Sequence, residues 1–297
     1  MRTLISGASG LVGSALRPAL VSAGHTTAAL VRRRAEGDQV QWDPATPLDA
    51  SKLKGFDAIV HLAGRNISGH WSDKLKREVR ESRVQGTRTL AAAAAEAFRE
   101  KGQPSVFVAA SATGYYGNRG DEKLTEASAR GQGFLAEVCQ EWEDSAAPAA
   151  EAGVRVVQLR IGVVLAKYGG ALRAMLPPFR LGFGGPVGDG RQYMSWITLE
   201  DVVGTFLFAL TNESLRGPVN GVAPQAVRNR EFVRELGRAI HRPAVIPLPA
   251  FVVRAVFGEM GDALLLSSAR VTPAKLETAG YHFQHPELPG ALRAILG

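Results

Sequence analysis

The sequence predicts an α/β protein built on a doubly wound parallel sheet, with a smaller α+β lobe toward its C-terminal end. Three observations carry that expectation. A short apolar run at residues 3–6 ends in glycine and opens onto apolar residues at helical spacing. Strand-length apolar runs then alternate with helical stretches as far as residue 165, the pattern of a sheet covered by helices on both faces. Beyond residue 165 glycine and proline crowd in, and shorter elements follow.

In order, residues 3–6 form the first strand, and residues 11–23 a helix that Gly24 closes. Residues 26–31 form a second strand, parallel to the first because a helix lies between them. Further strands are expected at residues 40–42, 58–62, 105–109 and 154–159, and long helices at 83–99 and 134–152. Gly169, Gly170, Pro177, Pro178, Gly182, Gly184, Gly185, Pro186 and Gly188 then mark loops, before helices at 199–210 and 230–240. These readings divide the chain into a nucleotide-binding domain, residues 1–165, and a lobe packed on it, residues 166–297.

Composition narrows the class. With 45% hydrophobic and 21% charged residues in 297, the chain is an ordinary globular one. The single cysteine, Cys139, fits a reducing cytoplasm, and the start leaves no room for a secretory leader. No apolar run reaches the roughly 18 residues of a membrane span, so no membrane partner is expected. The net charge of +7 is scattered, without basic runs interleaved with aromatic residues. That excludes a nucleic-acid partner and favours small anionic ligands. Six histidines without ligand spacing and one cysteine argue against a metal site.

Gly7-Ala8-Ser9-Gly10-Leu11-Val12-Gly13 follows a strand and opens a helix, the context that a dinucleotide-binding (Rossmann) turn requires. Gly7 permits the tight turn, Gly10 lets backbone amides approach a pyrophosphate, and Gly13 lets the helix pack on the sheet. Ser9 adds a hydroxyl donor. After the second strand, where a carboxylate would accept from a ribose 2′-hydroxyl, stand Arg32, Arg33 and Arg34. Guanidinium forks suit a 2′-phosphate, so the expected cofactor is NADP(H), with Arg32 the preferred contact.

Asp57 to Gly64 (Asp-Ala-Ile-Val-His-Leu-Ala-Gly), Ser82 to Thr87, Ser111 to Gly117, Gly169 to Leu172, Gly182 to Pro186 and Trp196 to Asp201 span nearly the whole chain. Together with the Gly-x-x-Gly-x-x-Gly turn, this set resembles the extended and atypical short-chain dehydrogenase/reductases of the NAD-dependent epimerase/dehydratase-like subgroup. The resemblance implies cofactor contacts by Val31 and Arg32, by Leu62, Ala63 and Gly64, by Glu78 and Arg83, and by Val164. On one ideal helix Glu78 and Arg83 point about 140° apart, so a shared ligand needs a break in the helix or a long reach by Arg83. The wider superfamily also implies a homodimer through the long helices.

Extended members of that superfamily use a Tyr-x-x-x-Lys pair. The corresponding positions here are Phe134 and Val138, which cannot exchange protons, and the subgroup shares the lack. Ser111, just past the expected fifth strand, is the candidate for polarising a substrate carbonyl. Tyr115 or Tyr116 is the candidate proton donor, and it needs a cation that the sequence does not identify. His61, inside an apolar strand, reads as an interior residue. Two functions remain: an NADP(H)-dependent oxidoreductase or epimerase-like enzyme on a small polar substrate such as a sugar nucleotide, or a non-catalytic NADP(H)-binding module acting through a protein partner.

Overall fold

The computed structural model describes every residue from Met1 to Gly297. Seven strands make the central sheet: β1 (Arg2–Ser6), β2 (Thr26–Val31), β3 (Gln39–Gln41), β4 (Ala58–His61), β5 (Val106–Ala112), β6 (Arg155–Ile161) and β7 (Gly217–Gly221). Their spatial order is β7-β6-β5-β4-β1-β2-β3, and every pairing is parallel. The order reverses between β1 and β4, which opens a crevice at the carboxyl ends of those strands.

Consecutive strand residues are apolar because both faces of the sheet are covered. Leu4, Ile59, Phe107 and Val156 enter one layer, where α2 (Asp73–Lys101) supplies Leu90, Ala91 and Ala94. Their chain neighbours Ile5, Val60, Val108 and Val157 enter the other, against Leu16 and Leu20 of α1 (Leu11–Ser22). Phe107 has no exposed surface, and its truncation to alanine would cost about 3–5 kcal/mol. The lobe has its own core, in which Leu172, Leu176 and Phe179 of α5 (Gly170–Arg180) pack with Trp196, Phe232, Leu236 and Leu292.

Four expectations need correction. The sheet does not end at residue 165. Residues after the lobe's first excursion return as α6 (Leu199–Thr211) and β7, with Val202, Phe206 and Leu210 in the same apolar layer as Ile5 and Val60. The glycine-rich stretch is therefore an excursion rather than a boundary. Helix α2 starts at Asp73, ten residues before the expected start, because Ser72 caps it by accepting from Leu75 N and its first turns are too charged to show an apolar stripe. The expected helix at 134–152 is two, α3 (Phe134–Asp144) and α4 (Ala147–Glu151). Pro148 has no amide to bond the Asp144 carbonyl four residues back, so α3 stops there. Finally, β5 runs on to Ala112, which places Ser111 within the strand, in register with Arg160 of β6.

Candidate functional site

The glycine turn joins β1 to α1 at the crevice. Gly7 has φ +67°, and a Cβ there would come within 2.7 Å of the Leu62 carbonyl carbon, so turn and β4 exit are packed backbone to backbone. A Cβ on Gly13 would collide with the Gly7 carbonyl oxygen, which fixes α1 close beneath the turn. Gly10 differs. A Cβ there would meet only the Gly7 oxygen, at 3.3 Å, so the space it would occupy is open to a ligand. Gly10 is the N-cap residue of α1, and the amides of Leu11, Val12 and Gly13 have no intrahelical acceptor. With exposed Ser9 beside them, they leave backbone donors without acceptors facing open space, the kind of helix N-terminus that receives an anion.

Ser6 and His61 lock this edge. The Ser6 hydroxyl accepts from the amides of Leu62 (3.1 Å) and Ala63 (3.3 Å) and lies 2.6 Å from His61 Nδ1. With two donors already on its oxygen, the hydroxyl gives its proton to His61, whose Nε2 has no partner. Complete burial lowers the pKa of this imidazole to about 4, so it stays neutral. His61 is an interior clamp, as its sequence setting predicts.

Val31 ends β2 half-buried, and the three arginines follow on the surface. Arg33 pairs with Glu36 at 3.6 Å, whereas Arg32 and Arg34 keep their guanidinium donors free.

Beyond β4, the loop Leu62-Ala63-Gly64-Arg65 is held at three points by α2. Ser82 Oγ accepts from Arg65 N at 3.0 Å, Glu78 pairs with the Arg65 side chain at 3.1 Å, and Arg83 donates to the Arg65 carbonyl at 3.0 Å. Helix α2 is unbroken between Glu78 and Arg83. The two side chains nonetheless meet one loop residue, because Arg83 also donates to Val79 O and stacks over Trp142. Burial lowers the Arg83 pKa. Its cation lies beneath Gly64, where a Cβ would touch its Cζ at 3.4 Å. Val164 comes in from the other side: Gly170, first residue of α5, sits 3.1 Å from the Val164 carbonyl by the same measure, and Gly169 is packed on Leu11. The structure thus gathers the glycine turn, Leu62 to Gly64, Glu78, Arg83 and Val164 around one edge.

The same edge carries a buried polar chain that sequence reasoning missed. Ser111 Oγ donates to Glu143 at 2.6 Å. Glu143 accepts two bonds from Arg160, at 2.8 and 2.7 Å, and Arg160 donates to the Tyr116 hydroxyl at 3.0 Å. Tyr116 in turn donates toward Asn220 at 2.7 Å. Burial alone would lower the Arg160 pKa, but the Glu143 carboxylate outweighs it and raises the value. Burial raises that of Tyr116 against the opposing pull of Arg160, so this phenol keeps its proton. Arg160 also lies over the ring of Tyr115, with its Cζ 3.4 Å from the centroid. Tyr115 is half-buried, and its hydroxyl has no partner within the chain. Ser111, only 3% exposed, spends its proton on Glu143. A signal was present, since Arg160 stands between Leu159 and Ile161 within a buried strand, and a charge there demands a partner.

Phe134 stands with Trp71 edge-on at 5.3 Å and the Lys76 and Arg80 cations at 5.4 and 5.9 Å from its ring. Val138 is buried, as is Cys139, whose thiol burial pushes up to about 12. Nothing at these positions exchanges protons.

Known proteins resemble this chain along its whole length. Residues 248–295 match a domain of unknown function, DUF1731. An epimerase family protein of Mycobacterium tuberculosis is 45% identical over 291 residues, 97% of this chain and 95% of the relative. The crystal structure of human epimerase family protein SDR39U1 with NADPH superposes with a TM-score of 0.90 at 36% identity, covering 100% of this chain and 99% of that one. A nucleoside-diphosphate sugar epimerase from Corynebacterium glutamicum gives 0.82 at 36% identity, over 100% of this chain and 58% of that one. Residues 3–220, which run from the first strand of the sheet into its last, match the NAD dependent epimerase/dehydratase family, and to that family the chain belongs.

Proposed function

We propose that the protein is an NADP(H)-dependent oxidoreductase or epimerase-type enzyme, acting on a small polar substrate between the carboxyl edge of the sheet and the C-terminal lobe. The observation that carries the enzymatic part is Tyr115, a free phenol stacked on a fixed guanidinium at that edge. The amides of Leu11, Val12 and Gly13 would hold the pyrophosphate, and Arg32 with Arg34 the 2′-phosphate. Support for the cofactor also comes from the NADPH in the human relative. When bound, a nicotinamide supplies or takes up a hydride at C4. Tyr115 exchanges the accompanying proton with the substrate oxygen, while Glu143 keeps Arg160 against the ring so that charge developing on the phenol meets a cation.

NADPH oxidation is to be followed with a panel of sugar nucleotides, aldehydes and quinones. Turnover with at least one of them is expected, and Tyr115→Phe should lower it by about 100-fold or more while cofactor affinity stays unchanged. Full turnover in that variant removes Tyr115 from the chemistry.

A second reading, a non-catalytic NADP(H)-binding module, rests on the commitment of the Ser111 hydroxyl to Glu143 and on Phe134. Silence across the whole panel, with NADPH tightly bound, decides for it.

A further inference from the structure

Two stretches of the chain hold no carboxylate: no Asp or Glu occurs from Ala152 to Gly188 or from Leu236 to Gly258. The fold joins them edge to edge. Ile246 N donates to Gly184 O at 3.0 Å, Leu248 N to Pro186 O at 2.8 Å and Gly188 N to Leu248 O at 2.9 Å. Arg242 Nε reaches the Arg180 carbonyl at 3.1 Å. On the joined surface Leu181, Phe183, Val245, Ile246 and Phe251 are 73, 65, 75, 48 and 72% exposed. Phe251 belongs to the first turn of α7 (Ala250–Gly261), directly after the joined segments.

Single exposed apolar side chains are ordinary, whereas five on neighbouring segments mark a contact surface. Charge identifies the occupant. Arg180, His241 and Arg242 flank the patch, all exposed, and neither arginine has a carboxylate partner. A plane of phosphates over hydrocarbon matches exposed apolar side chains flanked by arginines that have no carboxylate partner.

We propose that this face seats the protein on an anionic lipid surface, with the five apolar side chains entering the headgroup region and Arg180 and Arg242 meeting lipid phosphates. This is contact with a surface and not passage through it, since no helix of the chain is long and apolar enough to cross a membrane.

The test is sedimentation of the full-length protein with vesicles of phosphatidylglycerol and phosphatidylcholine, and of phosphatidylcholine alone. Binding to the anionic vesicles is expected, weakening as salt is added. Phe183→Ser combined with Phe251→Ser should weaken it by roughly tenfold or more per ring. Arg180→Gln combined with Arg242→Gln should weaken it about fivefold per charge. Both variants should melt close to the wild type, because every replaced side chain is exposed and the arginine variant loses only the Arg242 bond to the Arg180 carbonyl; if the serine variant does not, the arginine variant and the salt dependence still decide. Absence of the wild type from the anionic pellet overturns the proposal, as does equal binding by wild type and variants. A dimer in sedimentation velocity that Phe183→Ser dissolves, without vesicle binding, assigns the face to a second copy instead.

Discussion

Arg32 and Arg34 present forked donors without an internal partner, and only a 2′-phosphate distinguishes NADPH from NADH at that place. Removing a charge-assisted pair costs about 1.5–3 kcal/mol. Arg32→Ala should therefore weaken NADPH by roughly tenfold or more in calorimetry and leave NADH nearly unchanged; an equal loss for both would separate Arg32 from cofactor choice. His61 offers a test of the fold itself. Its pKa is lowered from 6.5 to about 4 by burial, so between those values the unfolded chain takes a proton that the folded chain refuses. The stability from this group is complete above pH 6.5 and is lost as pH falls toward 4, by about 3 kcal/mol in all. Melting temperatures of the wild type should fall across that window more steeply than those of His61→Asn, which cannot titrate. Parallel curves would mean that His61 is not buried in neutral form.

Three elements meet in the Ser111, Glu143 and Arg160 chain: β5, α3 and β6. Arg160 and Glu143 are 3 and 8% exposed, so Glu143→Ala leaves a guanidinium buried without its carboxylate. Breaking such a pair from one side costs about 3–5 kcal/mol, whereas an apolar replacement of both partners is far milder. Denaturant unfolding should accordingly place Glu143→Ala well below the Glu143→Leu, Arg160→Met double variant, and a single-variant loss under about 1 kcal/mol would show that water reaches the pair. This chain is also where legibility in the sequence gave out. Local rules sufficed for the strands, whose apolar runs need only burial on two faces, and for the glycine turn, whose spacing is backbone geometry. They did not suffice for partners distant in sequence. Arg160 announces by its neighbours that it needs a partner, but only the register of β5 on β6 and the position of α3 select Glu143. The early start of α2 was written in Ser72 and Asp73 and masked by the charged turns that follow, while the end of α3 was written in Pro148.

Over the whole molecule, the order of the chain and the order of the sheet part company after residue 165. The lobe is entered through α5 and left again for α6 and β7 before it is completed by later helices. β7 covers the outer edge of β6 with five paired residues from Val157 to Ile161, and α6 closes the layer over Ile5, Val60 and Val108. A fragment of residues 1–165 would expose the backbone donors and acceptors of β6 as a free edge and leave the apolar face of the sheet beside α1 half uncovered. Burial at about 25 cal/mol per Å² is what offsets the chain entropy of a domain this size, and neither loss has a substitute within the fragment. The fragment alone should aggregate or unfold without a cooperative transition, and it should bind no NADPH even though it carries the glycine turn and all three arginines. Supplied together with residues 166–297, it should recover a cooperative melt and cofactor binding, because the missing strand and helix then return as a separate chain. A cooperative melt with NADPH binding from residues 1–165 alone would mean that six strands and one covered face are enough, and that β7 and α6 decorate the sheet instead of completing it.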